Sequence, residues 1–78
     1  MPELKQLLTD ISRAIVDCPD SVTVDEREEG DTVVFTLHVT ESDMGKVIGK
    51  HGKIAKAIRQ LMKAAANGTG KKVTVDIE

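Results

Sequence analysis

Met44-Gly45-Lys46-Val47-Ile48-Gly49-Lys50-His51-Gly52-Lys53-Ile54 is the stretch on which the fold turns. Two glycines three residues apart separate a short apolar-basic segment from a longer one. Glycine tolerates positive φ and lets another backbone approach closely, so the pair marks a sharp turn between two helices. The second helix starts at that turn, which leaves its free N–H groups and the positive end of its dipole facing outward. Such an end binds phosphate. Lys50 adds a point charge from the loop itself, and Lys46, Lys53 and Lys56 surround it.

Working back toward the N-terminus, Thr40 to Asp43 reads as a polar connection in which Ser42 or Asp43 caps the short helix beginning near Met44. Residues 32–39 alternate as a strand, with Val33, Phe35, Leu37 and Val39 on one face. Val34 breaks the alternation, which predicts a central strand covered by more than one element. Glu29-Gly30-Asp31 is a hairpin turn, and residues 21–28 form the partner strand, with Val22 and Val24 pointing one way. Leu4, Leu7, Leu8, Ile11 and Ile15 recur at helical spacing and predict a helix over 3–17, ended by Pro19. Working forward, the spacing predicts a helix over 53–66. Its buried stripe is Ile54, Ile58, Leu61, Met62 and Ala65, and its basic stripe is Lys53, Lys56, Gln60 and Lys63. Asn67-Gly68-Thr69-Gly70 stops that helix, and Val73, Val75 and Ile77 alternate as a third strand. The order is α-β-β-α-α-β. The hairpin strands are antiparallel, and the helical crossover lets the third strand run parallel to the second. We expect an α+β fold, a three-stranded mixed sheet with three helices packed on it, spanning residues 1–78 as a single domain.

Val47-Ile48-Gly49-Lys50-His51-Gly52 resembles the VIGxxG signature of KH domains. The element order is similar to the type II, or bacterial, arrangement, and the whole chain looks most like the small bacterial KH proteins of the KhpA type. The resemblance implies that Gly49, Lys50, His51 and Gly52 clamp single-stranded RNA by about four nucleotides of its backbone. It places Val47 and Ile48 beside the groove for the bases, with Ile58 at an aliphatic position of the following helix. Ala55 stands where many KH domains carry a branched aliphatic residue. The implied site is therefore Lys46, Val47, Ile48, Gly49, Lys50, His51, Gly52, Lys53 and Lys56. The resemblance further implies a cytoplasmic RNA-binding protein or RNA chaperone, acting as a homodimer or paired with a larger KH-containing protein of the KhpB (Jag/EloR) type. In some bacteria such proteins are linked to cell-wall homeostasis and cell length. The alternative is a KH-fold interaction module that acts mainly through dimerisation.

Charge agrees with the first reading. The chain carries a net charge of −2. Residues 1–43 hold 11 acidic and three basic side chains, whereas residues 44–72 hold eight basic side chains and no acidic one. Salt screens charge beyond roughly 8–10 Å, so the local excess sets the field at a site more than the total does. One cysteine, Cys18, excludes an intrachain disulfide, and no Cys/His cluster stands at metal-ligand spacing, so we expect neither zinc nor a cofactor. Cys18 reads as a small packing residue at a helix end, Met44 and Met62 as core or interface filler, and His38 as an inert residue on a strand's polar face. Met1-Pro2-Glu3 lacks the features of a signal peptide, and no apolar run approaches bilayer length, so no membrane role is expected. Gly45 to Lys50 superficially resembles a P-loop. That motif needs four residues between its glycines and a Ser or Thr after the lysine, whereas His51 follows here, and we expect no enzyme. His51 has no acid near it in sequence and reads as a loop residue able to donate to phosphate.

Overall fold

The computed structural model describes residues 2–78. Helix α1 covers Pro2–Ile15, strand β1 Thr23–Glu29 and strand β2 Thr32–His38. Helix α2 covers Met44–Ile48, helix α3 Lys53–Ala65 and strand β3 Lys72–Ile77. The predicted element order and mixed sheet are both present. Strand order is β1-β2-β3, with β1 antiparallel and β3 parallel to the central β2.

Alternation builds the sheet. Val33, Phe35 and Leu37 are completely buried and form the middle of the core with Val22, Val24 and Val75. Register pairs Val24 with Leu37 and Phe35 with Val75, which puts these side chains on one face. Val34 is buried too, on the opposite face, between its register partners Arg27 and Thr74. The hairpin closes on Gly30-Asp31, with Glu29 opposite Thr32 and Gly30 at φ +60°. Positive φ at the first central position is what a two-residue turn of the II′ kind requires.

The helices cover the Phe35 face. From α1 come Leu4 and Leu8, and from α2 comes Val47. Buried Ser12 satisfies its hydroxyl within α1 by donating to the Leu8 carbonyl at 2.8 Å. From α3 come Ala55, Ile58 and Met62, with Ala66 just beyond its end. This corrects the expected stripe. Ile58 and Met62 are core, but Ile54 is 39% exposed, Leu61 47% exposed, and Ala65 also faces outward. At about 100° per residue the helix is turned by roughly 60° from the face that hydropathy suggests. Small Ala55 and Ala66 lie inward, and two large aliphatics stay outside.

Two further expectations change at the end of α1. The helix stops at Ile15, not 17, and Cys18 is exposed instead of packed. Pro19 restricts its predecessor, and Cys18 takes φ −115°, ψ 69°, outside the helical region. The freed N–H groups of Asp17 and Cys18 find a partner in Asp43, described below.

Candidate nucleic-acid interface

The loop between α2 and α3 is held in left-handed backbone. Gly49 has φ +76°, His51 +58° and Gly52 +73°. Gly49 is constrained twice, because a Cβ there would come within 2.5 Å of the Ile54 side chain. The loop closes on itself through Gly52 N–H to the Gly49 carbonyl at 3.2 Å, while Gly49 N–H ends α2 on the Gly45 carbonyl at 2.9 Å. His51 is the only non-glycine residue with positive φ among those described. Left-handed backbone costs an ordinary residue roughly 1–2 kcal/mol, so the loop holds strain that the flanking helices must impose.

That geometry leaves the start of α3 open. No side chain caps it, and its first turn holds no acid. Lys50, His51 and Lys53 are all exposed around it. Lys50, Lys53, Lys56 and Lys63 form no ion pair among the described residues. Lys46 differs, since its ammonium lies 3.4 Å from the Asp17 carboxylate. Val47 is fully buried and serves the core, whereas its neighbour Ile48 is 38% exposed beside the loop.

One turn into α3, at Lys56, a groove of about 520 Å³ opens between the helix and the free edge of β3. Lys56, Arg59, Gln60 and Lys63 form its helical wall, and Val73 to Asp76 form the strand wall. A second depression continues it past Lys63 toward Asn67, Lys71 and Lys72. Arg59 crosses the first groove, donating from Nε to the Val75 carbonyl at 3.1 Å. Sequence reasoning placed Lys56 here but not Arg59 or the strand wall. The parallel crossover was the available signal, because it sets α3 alongside an edge strand.

Sequence reasoning also misjudged Asp43. It precedes α2 but makes no capping bond to it. The residue is buried and its carboxylate turns the other way, accepting from Asp17 N–H at 3.1 Å, Cys18 N–H at 2.9 Å and the Thr40 hydroxyl at 3.1 Å. Burial by itself would raise its pKa. The two backbone donors, the Thr40 hydroxyl and the Lys46 charge outweigh that and hold it below the ordinary carboxylate value. Asp43 thus ties the loop after α1 to the start of α2, five residues before the loop ends that helix. His38 Nε2 meets Asp25 at 3.0 Å on the sheet, Lys71 pairs with Glu28 at 3.3 Å at the second depression, and among the described residues no group of His, Cys, Asp and Glu could hold a metal ion.

Residues 5–77 match the family model described as KhpA/KhpB, KH domain. The RNA-binding protein KhpA of Clostridium acetobutylicum is 51% identical over 74 residues, covering 95% of this chain and 99% of that protein. The RNA-binding protein KhpA of Caldanaerobacter subterraneus is 49% identical over 72 residues, covering 92% of this chain and 96% of that protein. Among solved structures, Era of Aquifex aeolicus bound to GDP.AlF4- superposes with a TM-score of 0.63 at 16% identity. The match covers 95% of this chain and 29% of Era, a likeness of fold.

Proposed function

The chain belongs to the KhpA/KhpB family of KH domains, and on that premise we propose that it binds single-stranded RNA, holding the backbone at Gly49-Lys50-His51-Gly52. One observation carries this reading: the N-terminus of α3 is presented by a left-handed loop, uncapped, beside Lys50 and Lys53, which form no ion pair among the described residues. Phosphate fits both the dipole end and the lysines. Strand continuing from the loop meets the groove between α3 and β3, where Lys56 and Lys63 line one wall and Val73 and Val75 the other.

Binding is the chemistry these residues support: Lys56, Arg59, Gln60 and Lys63 line the groove, and Asp43 is taken up by backbone donors. No exposed Phe, Tyr or Trp offers a stacking platform, since Phe35 is the single residue of that kind and is fully buried. Affinity per domain then rests on phosphate contacts and aliphatic surface, and pairing of two domains raises it without new RNA contacts. Ile54 and Leu61 supply the surface for such pairing on the flank of α3 turned away from the groove, with Ile48 exposed close by. We assign that flank to a second KH domain, either another copy of this chain or a KhpB-type partner, in a cytoplasmic RNA-binding or chaperone role. No helix among the described residues is long and apolar enough to cross a membrane.

The test is Lys50→Asp combined with His51→Asp. Aspartate tolerates left-handed backbone well, so the turn survives while two carboxylates face the phosphate position. Fluorescence anisotropy with a single-stranded RNA should show binding lost, with an unchanged thermal melt. Parental affinity in the folded double variant would remove the loop from the site.

A further inference from the structure

The loop from Gly49 to Gly52 stands on a weak support. Helix α2 has five residues, with glycine as the second. That is little more than one turn, far below the length at which a helix holds by its own hydrogen bonds, and glycine weakens it further. Val47 anchors one side of α2 in the core. The other anchor is Asp43, at its start. Oδ1 accepts from Asp17 N–H at 3.1 Å, and Oδ2 accepts from Cys18 N–H at 2.9 Å and from the Thr40 hydroxyl at 3.1 Å. The connection that Asp43 grips is itself stiff. Ser21 N–H bonds to the Cys18 carbonyl and Val22 N–H to the Pro19 carbonyl, each at 3.1 Å, and Val22 is buried. Lys46 reaches back from α2 to the Asp17 carboxylate at 3.4 Å, but both side chains are exposed, and such a pair contributes little. The weight therefore falls on buried Asp43.

At its other end α2 passes directly into the loop. Gly49 N–H closes the helix on the Gly45 carbonyl at 2.9 Å, and Gly49, His51 and Gly52 have left-handed backbone. A strained loop keeps its shape only where its surroundings impose it. From this arrangement we propose that Asp43 is a positioning residue for RNA: it pins α2, and through α2 it holds Gly49-Lys50-His51-Gly52 in the shape that receives phosphate. The inference rests on the RNA reading above and adds to it a residue whose carboxylate faces the α1–β1 connection and touches no RNA. A loop already in its bound shape avoids the ordering cost of binding, so loss of the latch lowers affinity without removing a contact.

The experiment compares the parent with Asp43→Asn and with Val24→Ala, which removes core methyl groups on β1, the strand farthest from the groove. Hydrogen exchange of the free proteins is read at the Gly49 and Gly52 amides and along β2. Affinity for a labelled single-stranded RNA octamer of mixed sequence is read at a temperature where melts show the proteins folded. Asp43→Asn should bind about fivefold more weakly than the parent, the scale set by one loop that must be ordered on binding. Its exchange should quicken more at Gly49 and Gly52 than along β2. Val24→Ala should keep its affinity within about twofold of the parent, because its site is distant from the loop. Parental affinity in folded Asp43→Asn, an equal rise in exchange at loop and strand, or an equal loss of affinity in Val24→Ala overturns the proposal and leaves the RNA reading standing. Thr40→Val removes one of the three donors and decides the matter if Asp43→Asn does not fold. Weaker binding with exchange quickened at the loop then supports the proposal, and parental binding and exchange overturn it. A parent that binds no RNA overturns both readings.

Discussion

The two exposed flanks of α3 carry opposite chemistry on one short helix. On one side Lys56, Arg59, Gln60 and Lys63 face the groove along β3. On the other, Ile54, Ala57, Leu61 and Ala64 are all exposed. Between them, Ala55, Ile58 and Met62 enter the core. An amphipathic helix is usually read as two-sided, with apolar residues in and polar residues out. This one is three-sided, and its third side is apolar and outside. The difference teaches that side-chain size does not decide which side of a helix enters the core: large aliphatics stay outside, while inward positions are as small as alanine.

The largest expected effect separates the core from the apolar flank. Ile58→Ala removes buried methyl groups and should cost about 2–5 kcal/mol in a denaturant titration, a large share of a small domain's stability. Leu61→Ala changes an exposed side chain and should cost the monomer under about 0.5 kcal/mol. Equal losses would mean that the helix is rotated from the position described.

Next comes the latch that holds the loop's supporting helix. Asp43→Asn leaves one acceptor where Asp17, Cys18 and Thr40 all donate, and it should lower the melting temperature at neutral pH. A depressed folded-state pKa means that the stabilisation is present above the unfolded value, near ~3.9, and is lost as pH falls through the folded one. The gap between parent and variant should therefore narrow on acidification below about pH 4. A gap that stays constant down to pH 2 would show that the carboxylate's charge plays no part.

Leu61→Gln then tests the apolar flank. The variant should remain folded, sediment as a monomer at concentrations where the parent pairs, and keep its affinity for RNA per domain. A parent that is monomeric at every concentration would remove the assignment of that flank to a second copy of this chain. The smallest effect on stability belongs to the basic flank, where Lys56→Ala should shift it by less than about 0.5 kcal/mol while weakening RNA binding.

Much of this was legible before the structure. Val33, Phe35 and Leu37 announce a strand, and Gly49 and Gly52 announce the loop, because period and backbone freedom are local properties. The rotation of α3 was not legible, since hydropathy draws Ile54 and Leu61 into the predicted core and cannot register that the inward positions are held by alanines. Asp43 was hidden for a different reason. Its partners are backbone N–H groups 26 and 25 residues away, which carry no side-chain signature. Lys50, His51, Lys53 and Lys56 could be named from their spacing, but the far wall of the groove required the position of β3.

The salt dependence of RNA affinity tests the division of labour on α3 most directly. A clamp and groove that neutralise about three phosphates give a log–log slope near −2, at about −0.7 per phosphate on a single strand. The account predicts that slope for the parent and for Leu61→Gln, and a flatter one, near about −0.7, when Lys56 and Lys63 are both replaced by alanine. A slope near zero in the parent, or one unchanged by loss of the two lysines, would contradict it.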